Sequence, residues 1–400
     1  MTQQIEAGST VIRRCEVGVA RNQAIGQIAQ GYYFVTSDTV INDLAEDLNH
    51  REEIDAVGVV DASGKVIGVI VRAELFSLLG RPYGRDVLSR LPVTEVMKES
   101  PTIRFDANVF SVSEDLDEYL KSSDVSYFAL IDENQEFRGS FSTHALLLYL
   151  SEITQRDIGL ARKLQSKLVH ERDLVVGKNF EFSSYSASAK GVGGDFYSIL
   201  QVDSSRWLMS VCDVSGKGVS ASILTSVIWG MMSIYDFRQG MKSFITKLNN
   251  YIAATFEGEK FVTGVFLTYD EQKNIVQICD MGHSHIFVFR DGRMMRVSTN
   301  QRNLPLGVSE NTEPKISRFT PEENDIILVV TDGLLEQQSK NQDVYSLDRV
   351  INLLRDHKEK AVEVLNDRII DDFETFRGGH HLQDDVTYAL MKFREQEVVL

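Results

Sequence analysis

The sequence lacks any apolar run near the roughly 18 residues that a membrane-spanning helix needs. Its richest stretches, HALLLYL (144–150) and DIILVVTDG (325–333), are short and end in polar or turn residues. The opening MTQQIEAGSTVIRRCEVG has no apolar core of the kind a signal peptide requires. Positive charge is also scarce. Lys and Arg number 42 against 58 Asp and Glu, which gives a net charge of −16 and a pI near 5.0. That balance argues against nucleic acid and anionic membrane surfaces as partners, because both reward Lys and Arg. Cysteine is rare: Cys15, Cys212 and Cys279 are far apart and form no CxxC pair. Cys212 and Cys279 fall in strand-like runs, where a buried free thiol is the expectation. These absences together predict a protein of the reducing cytoplasm, with no membrane and no nucleic acid.

What remains is enough for two cores. The chain has 400 residues, 43% hydrophobic and 25% charged, ordinary values for globular domains. Residues 1–16 read as a loose leader. Two similar halves follow, FVTSDTVINDLAEDLNHREEIDAVGVVDASGKVIGVIVRAELFSLL (34–79) and PTIRFDANVFSVSEDLDEYLKSSDVSYFALIDENQEFRGSFSTHALLLYL (101–150). Each predicts a short leading strand, an amphipathic helix, two apolar strands joined by a polar turn, and a second helix. The turns DASGK (61–65) and DENQE (132–136) are suitable hairpin connectors. Two copies of one pattern mark an internal repeat.

The β-α-β-β-α pattern, and AVGVVDASGKVIGVIVRAEL (56–75) above all, resembles the cystathionine-β-synthase (CBS) domain, which usually occurs as a pair. LPVTEVMKESPTIRFDANV (91–109) resembles the start of the second copy. The resemblance assigns residues 17–150 to a tandem CBS regulatory domain and raises an adenine nucleotide as a ligand. In the family, a Thr or Ser after the third strand and an Asp three residues later hold ribose and phosphates. Val71 and Glu74 stand there in the first copy, Ser142 and Ala145 in the second, so neither copy has the full pair. The alternative is a module for dimerisation and docking.

Residues 145 to about 170 predict a long helix, assigned over 151–172 as a connector. Leu146, Leu150, Ile153, Leu160, Leu164 and Leu168 recur at three- and four-residue steps, with Asp157 breaking the seam. Gly159 lies mid-helix and costs about 1 kcal/mol relative to alanine. It reads either as a hinge or as a feature of an ordinary amphipathic helix. From 178 onward, strand-like runs dominate, with helical stretches near 217–236, 239–256, 346–356 and 359–375. This pattern predicts a β-sandwich flanked by helices, and α+β for the whole chain.

Within that region, aspartates end or begin strands beside glycine: Asp195 in GGDFY, Asp213 in CDVSGKG, Asp332 in VVTDGLLE, and Asp384 with Asp385 in QDDVTYAL. Converging carboxylates repel one another and lose solvation, and cations remove that cost. Oxygen ligands without a His or Cys cluster favour Mg²⁺ or Mn²⁺ over Zn²⁺. Two such ions about 3.5–4 Å apart can hold an attacking water and clamp a phosphate. Taken singly, each motif reads as a turn or a cap. SGKGVS (215–220) imitates a phosphate loop without its full spacing. No Ser or Cys is poised beside a base, which disfavours a covalent phosphoenzyme.

The ordered set is more specific. With GVGGDFYSI, DVSGKGVSASIL, LNNYI, FVTGVFLTYD, MGHSH, LPLGV and DDVTYALMKF, the chain from about 160 to 394 closely resembles the sporulation stage II protein E (SpoIIE)-type serine phosphatases, a branch of the metal-dependent protein phosphatases. The resemblance implies an α-β-β-α sandwich over 173–396 with two Mn²⁺ or Mg²⁺ ions. By position, Asp213 would bridge both ions and the Val214 carbonyl would join it. Asp195 would hold one ion, and Asp332 and Asp384 the other. Asp385 is the second choice of its pair. Asp213 and Asp332 are the candidate catalytic residues. Gly193, Gly194 and Gly216 would permit close backbone approach. Lys190 and Lys217 could hold phosphate or serve as salt-bridge partners. His283 reads as a packing residue. Met281 before Gly282, where the family has alanine, and Ser198 after Tyr197 depart from the pattern without removing a ligand.

The resemblance implies hydrolysis of a phosphorylated anti-sigma-factor antagonist or similar regulator by attack of metal-activated water, in a homodimer controlled by the CBS pair. The alternatives are a catalytically silent scaffold that binds a phosphorylated partner, and a nucleotide-sensing module whose second domain is a dimer platform.

Overall fold

The structure, a computed structural model, describes residues 10–18, 20, 23–121, 126–297 and 302–395. It divides into two compact units, Met1–Gln155 and Arg156–Leu400.

In the first unit, β1 (Arg13–Arg14), β2 (Tyr33–Thr36), β3 (Ala56–Val60) and β4 (Val66–Val71) form one sheet in that order. β2 runs parallel to β3, and β3 antiparallel to β4. The helices are α1 (Ile41–Asn49), α2 (Arg72–Leu79) and the short α3 (Gly84–Leu88). The second copy has β5 (Thr102–Arg104), α4 (Val109–Asp115), α5 (Asp117–Lys121), β6 (Tyr127–Ile131) and β7 (Phe137–Ser142). Again β5 is parallel to β6, and β6 antiparallel to β7. The pairing shifts at Val59/Val60 in one copy and at Leu130/Ile131 in the other, the same place in each hairpin. The turns match as well. Asp61 Oδ1 accepts the N–H groups of Ser63 and Lys65, and Asp132 Oδ1 those of Asn134 and Glu136. Where the copies meet, Gly58 lies under Phe137, and a Cβ there would stand 2.4 Å from the ring.

The expectation of a loose leader does not hold for residues 10–14; residues 1–9 lie outside the described residues. Val11 and Ile12 donate backbone N–H groups to Asp47 Oδ2 at 2.6 and 3.1 Å, Ile12 is buried, and Arg13–Arg14 pair with Phe34 and Tyr33. Val11 and Ile12 are too short an apolar run to signal a strand, and the strand itself is two arginines.

The predicted long helix is α6 (Thr143–Gln165), starting earlier and ending earlier than expected. Its end tightens, with Leu168 N–H bonded to the Gln165 carbonyl at 2.8 Å. The apolar seam also divides. Leu146, Leu150 and Ile153 pack on the core of the second copy, whereas Leu160 and Leu164 are exposed.

The second unit is four layers. One sheet has the order β10 (Phe196–Gln201), β11 (Arg206–Val214), β12 (Val262–Asp270), β13 (Ile275–Met281), β16 (Ser317–Phe319). The other runs β15 (Arg293–Arg296), β14 (Ile286–Arg290), β17 (Ile326–Val330), β18 (Val386–Phe393), β9 (Phe180–Ala187), β8 (Leu174–Val176). Neighbouring strands are antiparallel throughout. α7 (Val219–Ile234) and α8 (Met241–Phe256) cover the first sheet, and α10 (Leu347–His357) and α11 (Val362–Arg377) the second. Side chains such as Val211, Val265, Val329 and Met391 fill the space between the sheets. β17 and β18 are buried along their whole length, which explains their unbroken apolar runs. β8, β15, β16 and α9 (Asp332–Glu336) were not anticipated; all are short. None of the described helices is long and apolar enough to cross a membrane.

Candidate metal centre

Strand register brings the aspartates together. Phe196 pairs with Cys212 across β10 and β11, so one step further out Asp195 faces Asp213. Val330 pairs with Tyr388 across β17 and β18, and the Thr331 N–H bonds the Thr387 carbonyl. Asp332 therefore leaves its strand where Asp384 and Asp385 enter theirs. A Cβ on Gly333 would stand 1.9 Å from the Asp385 carbonyl, so the glycine after Asp332 is required by this approach.

The loop before β10 is held from three directions. Gln165, buried at the end of α6, donates Nε2–H to the Gly193 carbonyl at 2.7 Å and accepts the Gly193 N–H at 3.0 Å. Asp385 Oδ2 accepts the Gly194 N–H at 2.8 Å, and its Oδ1 the Ala189 N–H at 2.9 Å. The Gly194 carbonyl accepts the Thr225 hydroxyl at 3.1 Å and the Val214 N–H at 3.3 Å. A Cβ on Gly194 would lie 2.8 Å from the Val214 carbonyl oxygen. The two glycines are thus needed for closeness, and Asp195 follows from their placement. Both oxygens of Asp385 serve this loop, whereas Asp384 keeps Oδ2 outward, where Lys217 Nζ reaches it at 2.8 Å. Lys217 is therefore a salt-bridge partner of a candidate ligand. Lys260 Nζ donates to the Ser215 carbonyl nearby, at 2.9 Å.

The electrostatics of Asp195 and Asp213 are those of acids folded together without neutralisation. Asp195 is buried, and its Oδ2 has no hydrogen-bond partner. Burial first, then the charge of Asp213, pushes its carboxyl far above the ordinary range, against a lowering contact with the Thr331 hydroxyl. Asp213 is pushed up to about 7, again by burial first and then by Asp332 and Asp384. Among the described residues no group of three or more His, Cys, Asp or Glu side chains is placed to hold a metal ion. An ion held by one or two carboxylates, a carbonyl and water needs no such group. The orphaned Asp195 oxygen and its raised neighbour are the surfaces a hard cation would satisfy, so the donor set fits Mg²⁺ or Mn²⁺.

His283 packs rather than reacts. Its Nε2 donates to the Val330 carbonyl at 2.7 Å and its Nδ1 stands 3.2 Å from the Thr263 hydroxyl. Burial first lowers its pKa, keeping the ring neutral. It ties the end of β13 to the strand that delivers Asp332. A cavity of about 390 Å³ opens beside Asp195 and Asp385, walled by Arg162, Gln165 and Ser186. Gln165 and Thr225 escaped the sequence reading. Each sits in an ordinary helical pattern, and only its long-range partner reveals it.

The family model described as Stage II sporulation protein E matches residues 203–394. Most of the second unit thus matches the SpoIIE-type domain. A CBS domain model matches residues 25–81, and the second copy repeats its strand pairing. The α-β-β-α phosphatase sandwich and the N-terminal CBS region expected from the sequence are both borne out. "Phosphoserine phosphatase RsbP" of Bacillus subtilis (strain 168) is 23% identical over 244 residues, covering 60% of this chain and 58% of that protein. "Phosphoserine phosphatase RsbU" of the same organism is 21% identical over 254 residues, 63% of this chain and 75% of that protein. The chain thus spans less than two thirds of RsbP. Among solved structures, the SiaA-PP2C domain of Pseudomonas aeruginosa aligns with a TM-score of 0.51 at 14% identity, over 61% of this chain and 98% of that chain. This likeness concerns the fold of the SpoIIE-type domain.

Proposed function

We propose that the chain is a divalent-metal-dependent protein-serine/threonine phosphatase. The observation that carries this reading is the buried Asp195 carboxylate, with an unpartnered oxygen, set against Asp213. Such a pair is unfavourable for folding alone and favourable for a cation. Asp213, the Val214 carbonyl and Asp195 would hold one Mn²⁺ or Mg²⁺ ion, and Asp332 and Asp384, with water, a second beside Asp213. Asp385 instead fixes the loop that carries Asp195. Bound ions would supply positive charge for the transferring phosphoryl group and an activated water for in-line attack. The chain contributes placement. Gly193 and Gly194 let the loop approach Val214, Thr225 and Gln165 hold that loop, and His283 fixes the strand before Asp332.

The substrate we propose is a phosphoserine-bearing regulator such as an anti-sigma-factor antagonist, in a cytoplasmic homodimer whose CBS pair sets activity through α6. The names of the curated relatives support the phosphoserine chemistry. An adenine nucleotide at the CBS pair finds less support. Glu74 is paired with Lys98 at 2.7 Å, the groove beside Val71 holds only about 10 Å³, and Ser142 Oγ accepts the Ala145 N–H at 3.1 Å.

The test is hydrolysis of p-nitrophenyl phosphate and a phosphoserine protein by the full chain, with and without Mn²⁺. Metal-dependent turnover, lost in Asp213→Asn and Asp332→Asn, is expected. Turnover that survives both substitutions would remove the metal centre from the mechanism. No turnover from a folded, metal-loaded chain would favour a phosphoprotein-binding scaffold.

A further inference from the structure

Lys217 lies on the turn between β11 and α7, flanked by Gly216 and Gly218 with φ of +85° and +84°. Those left-handed glycines fold the turn back over the strand ends. The Lys217 ammonium reaches Asp384 Oδ2 at 2.8 Å and donates to the Gln383 carbonyl at 3.2 Å. Asp384 Oδ1 is already engaged by the Asp385 N–H at 2.9 Å. The ammonium therefore covers the one Asp384 oxygen that backbone does not use. Both side chains are about 40% exposed, so water reaches the pair. An ammonium on a flexible stem in such a place is a weakly held point charge. Lys260, by contrast, puts its charge on the Ser215 carbonyl. Lys217 thus sits on a candidate ligand, and Lys260 beside it.

We propose that Lys217 is a displaceable counter-ion, which occupies Asp384 until a divalent cation takes its place. The proposal rests on the metal centre described under the proposed function. Loading of the Asp384 side is then an exchange. The ammonium leaves Oδ2, the cation takes it, and the freed ammonium remains tethered beside the ions. The exchange makes this half of the centre the weaker one, because its cation must compete with a resident charge. The competition is modest. An exposed pair is worth up to about 1 kcal/mol, which is about fivefold in affinity.

The experiment is calorimetric titration of Mn²⁺ into the metal-free full chain at physiological ionic strength. Lys217→Met should tighten the weaker of two sites about fivefold and leave the stronger within twofold. Lys217→Arg, which keeps the charge and adds a two-pronged contact, should tighten neither. Lys260→Met removes an equal charge nearby and should leave the weaker site within twofold. In an Asp384→Asn background, Lys217→Met should have no effect. Equal tightening by Lys217→Met and Lys260→Met would mean general charge removal and would overturn the exchange. An unchanged or weakened site in Lys217→Met, with binding that still requires Asp213, would overturn the role of Lys217 alone. Absence of Mn²⁺ binding, or binding indifferent to Asp213→Asn, would overturn both this role and the metal centre.

Discussion

Asp213→Asn should stabilise the metal-free chain at pH 8, and the gain should fade on acidification. In the folded protein the Asp213 carboxyl is pushed from an ordinary 3.8 up to about 7, chiefly by burial and then by Asp332 and Asp384. A folded pKa above the unfolded one means that the folded state binds the proton more tightly. The stability cost is therefore complete above pH 7 and disappears below about pH 4. The interval between about 7 and 3.8, at about 1.36 kcal/mol per pH unit, sets an upper value of about 4 kcal/mol. Relaxation and water entry reduce it, so about 2–4 kcal/mol is expected at pH 8 and under about 1 kcal/mol at pH 4.5. His283, whose pKa is lowered by burial, acts in the opposite sense over the same range, but it is common to both proteins and cancels in the comparison. Urea unfolding in EDTA, followed by tryptophan fluorescence, measures the difference. Both tryptophans, Trp207 and Trp229, belong to the second unit, so the signal reports that unit. An Asn variant less stable than wild type at pH 8, or a gap constant with pH, would refute the account of an uncompensated buried acid.

Three further outcomes follow from the geometry. Gln165→Leu leaves the Gly193 N–H and carbonyl buried without partners, a cost of about 2–4 kcal/mol, and should raise the Mn²⁺ concentration for half-maximal turnover about tenfold in an activity titration. Gly194→Ala places a Cβ 2.8 Å from the Val214 carbonyl oxygen; a loss of about 1–3 kcal/mol in stability and of about 100-fold in kcat/KM is expected, checked by urea unfolding and steady-state kinetics. Gly159→Ala meets nothing within 4 Å and should stiffen α6 by about 1 kcal/mol; altered basal turnover of the full chain would support a hinge there, and unchanged kinetics would remove it.

Local pattern carried a large part of this protein. The apolar runs RWLMSVCDV, IILVV and VTYALMKF specify strands, because burial on both faces is written residue by residue. The repeat in the first unit was legible for the same reason, down to Asp61 and Asp132 at equivalent turns. Glycine beside aspartate marked the strand ends, since only a missing Cβ permits the approach of Gly194 to Val214 or Gly333 to Asp385. The residues alone did not divide the work of Asp384 and Asp385; only the resemblance put Asp384 first. That division depends on which carboxylate meets Gly194 and Ala189, residues some 190 positions away, and which meets Lys217. The same holds for Gln165, whose neighbours along the helix say nothing of Gly193, and for residues 10–14, which fold only because Asp47 and β2 receive them. Composition and periodicity determine which segments become strands and helices and which acids end them. Tertiary structure decides which polar groups meet, because a hydrogen bond or ion pair between distant segments depends on the placement of both and is encoded in neither alone.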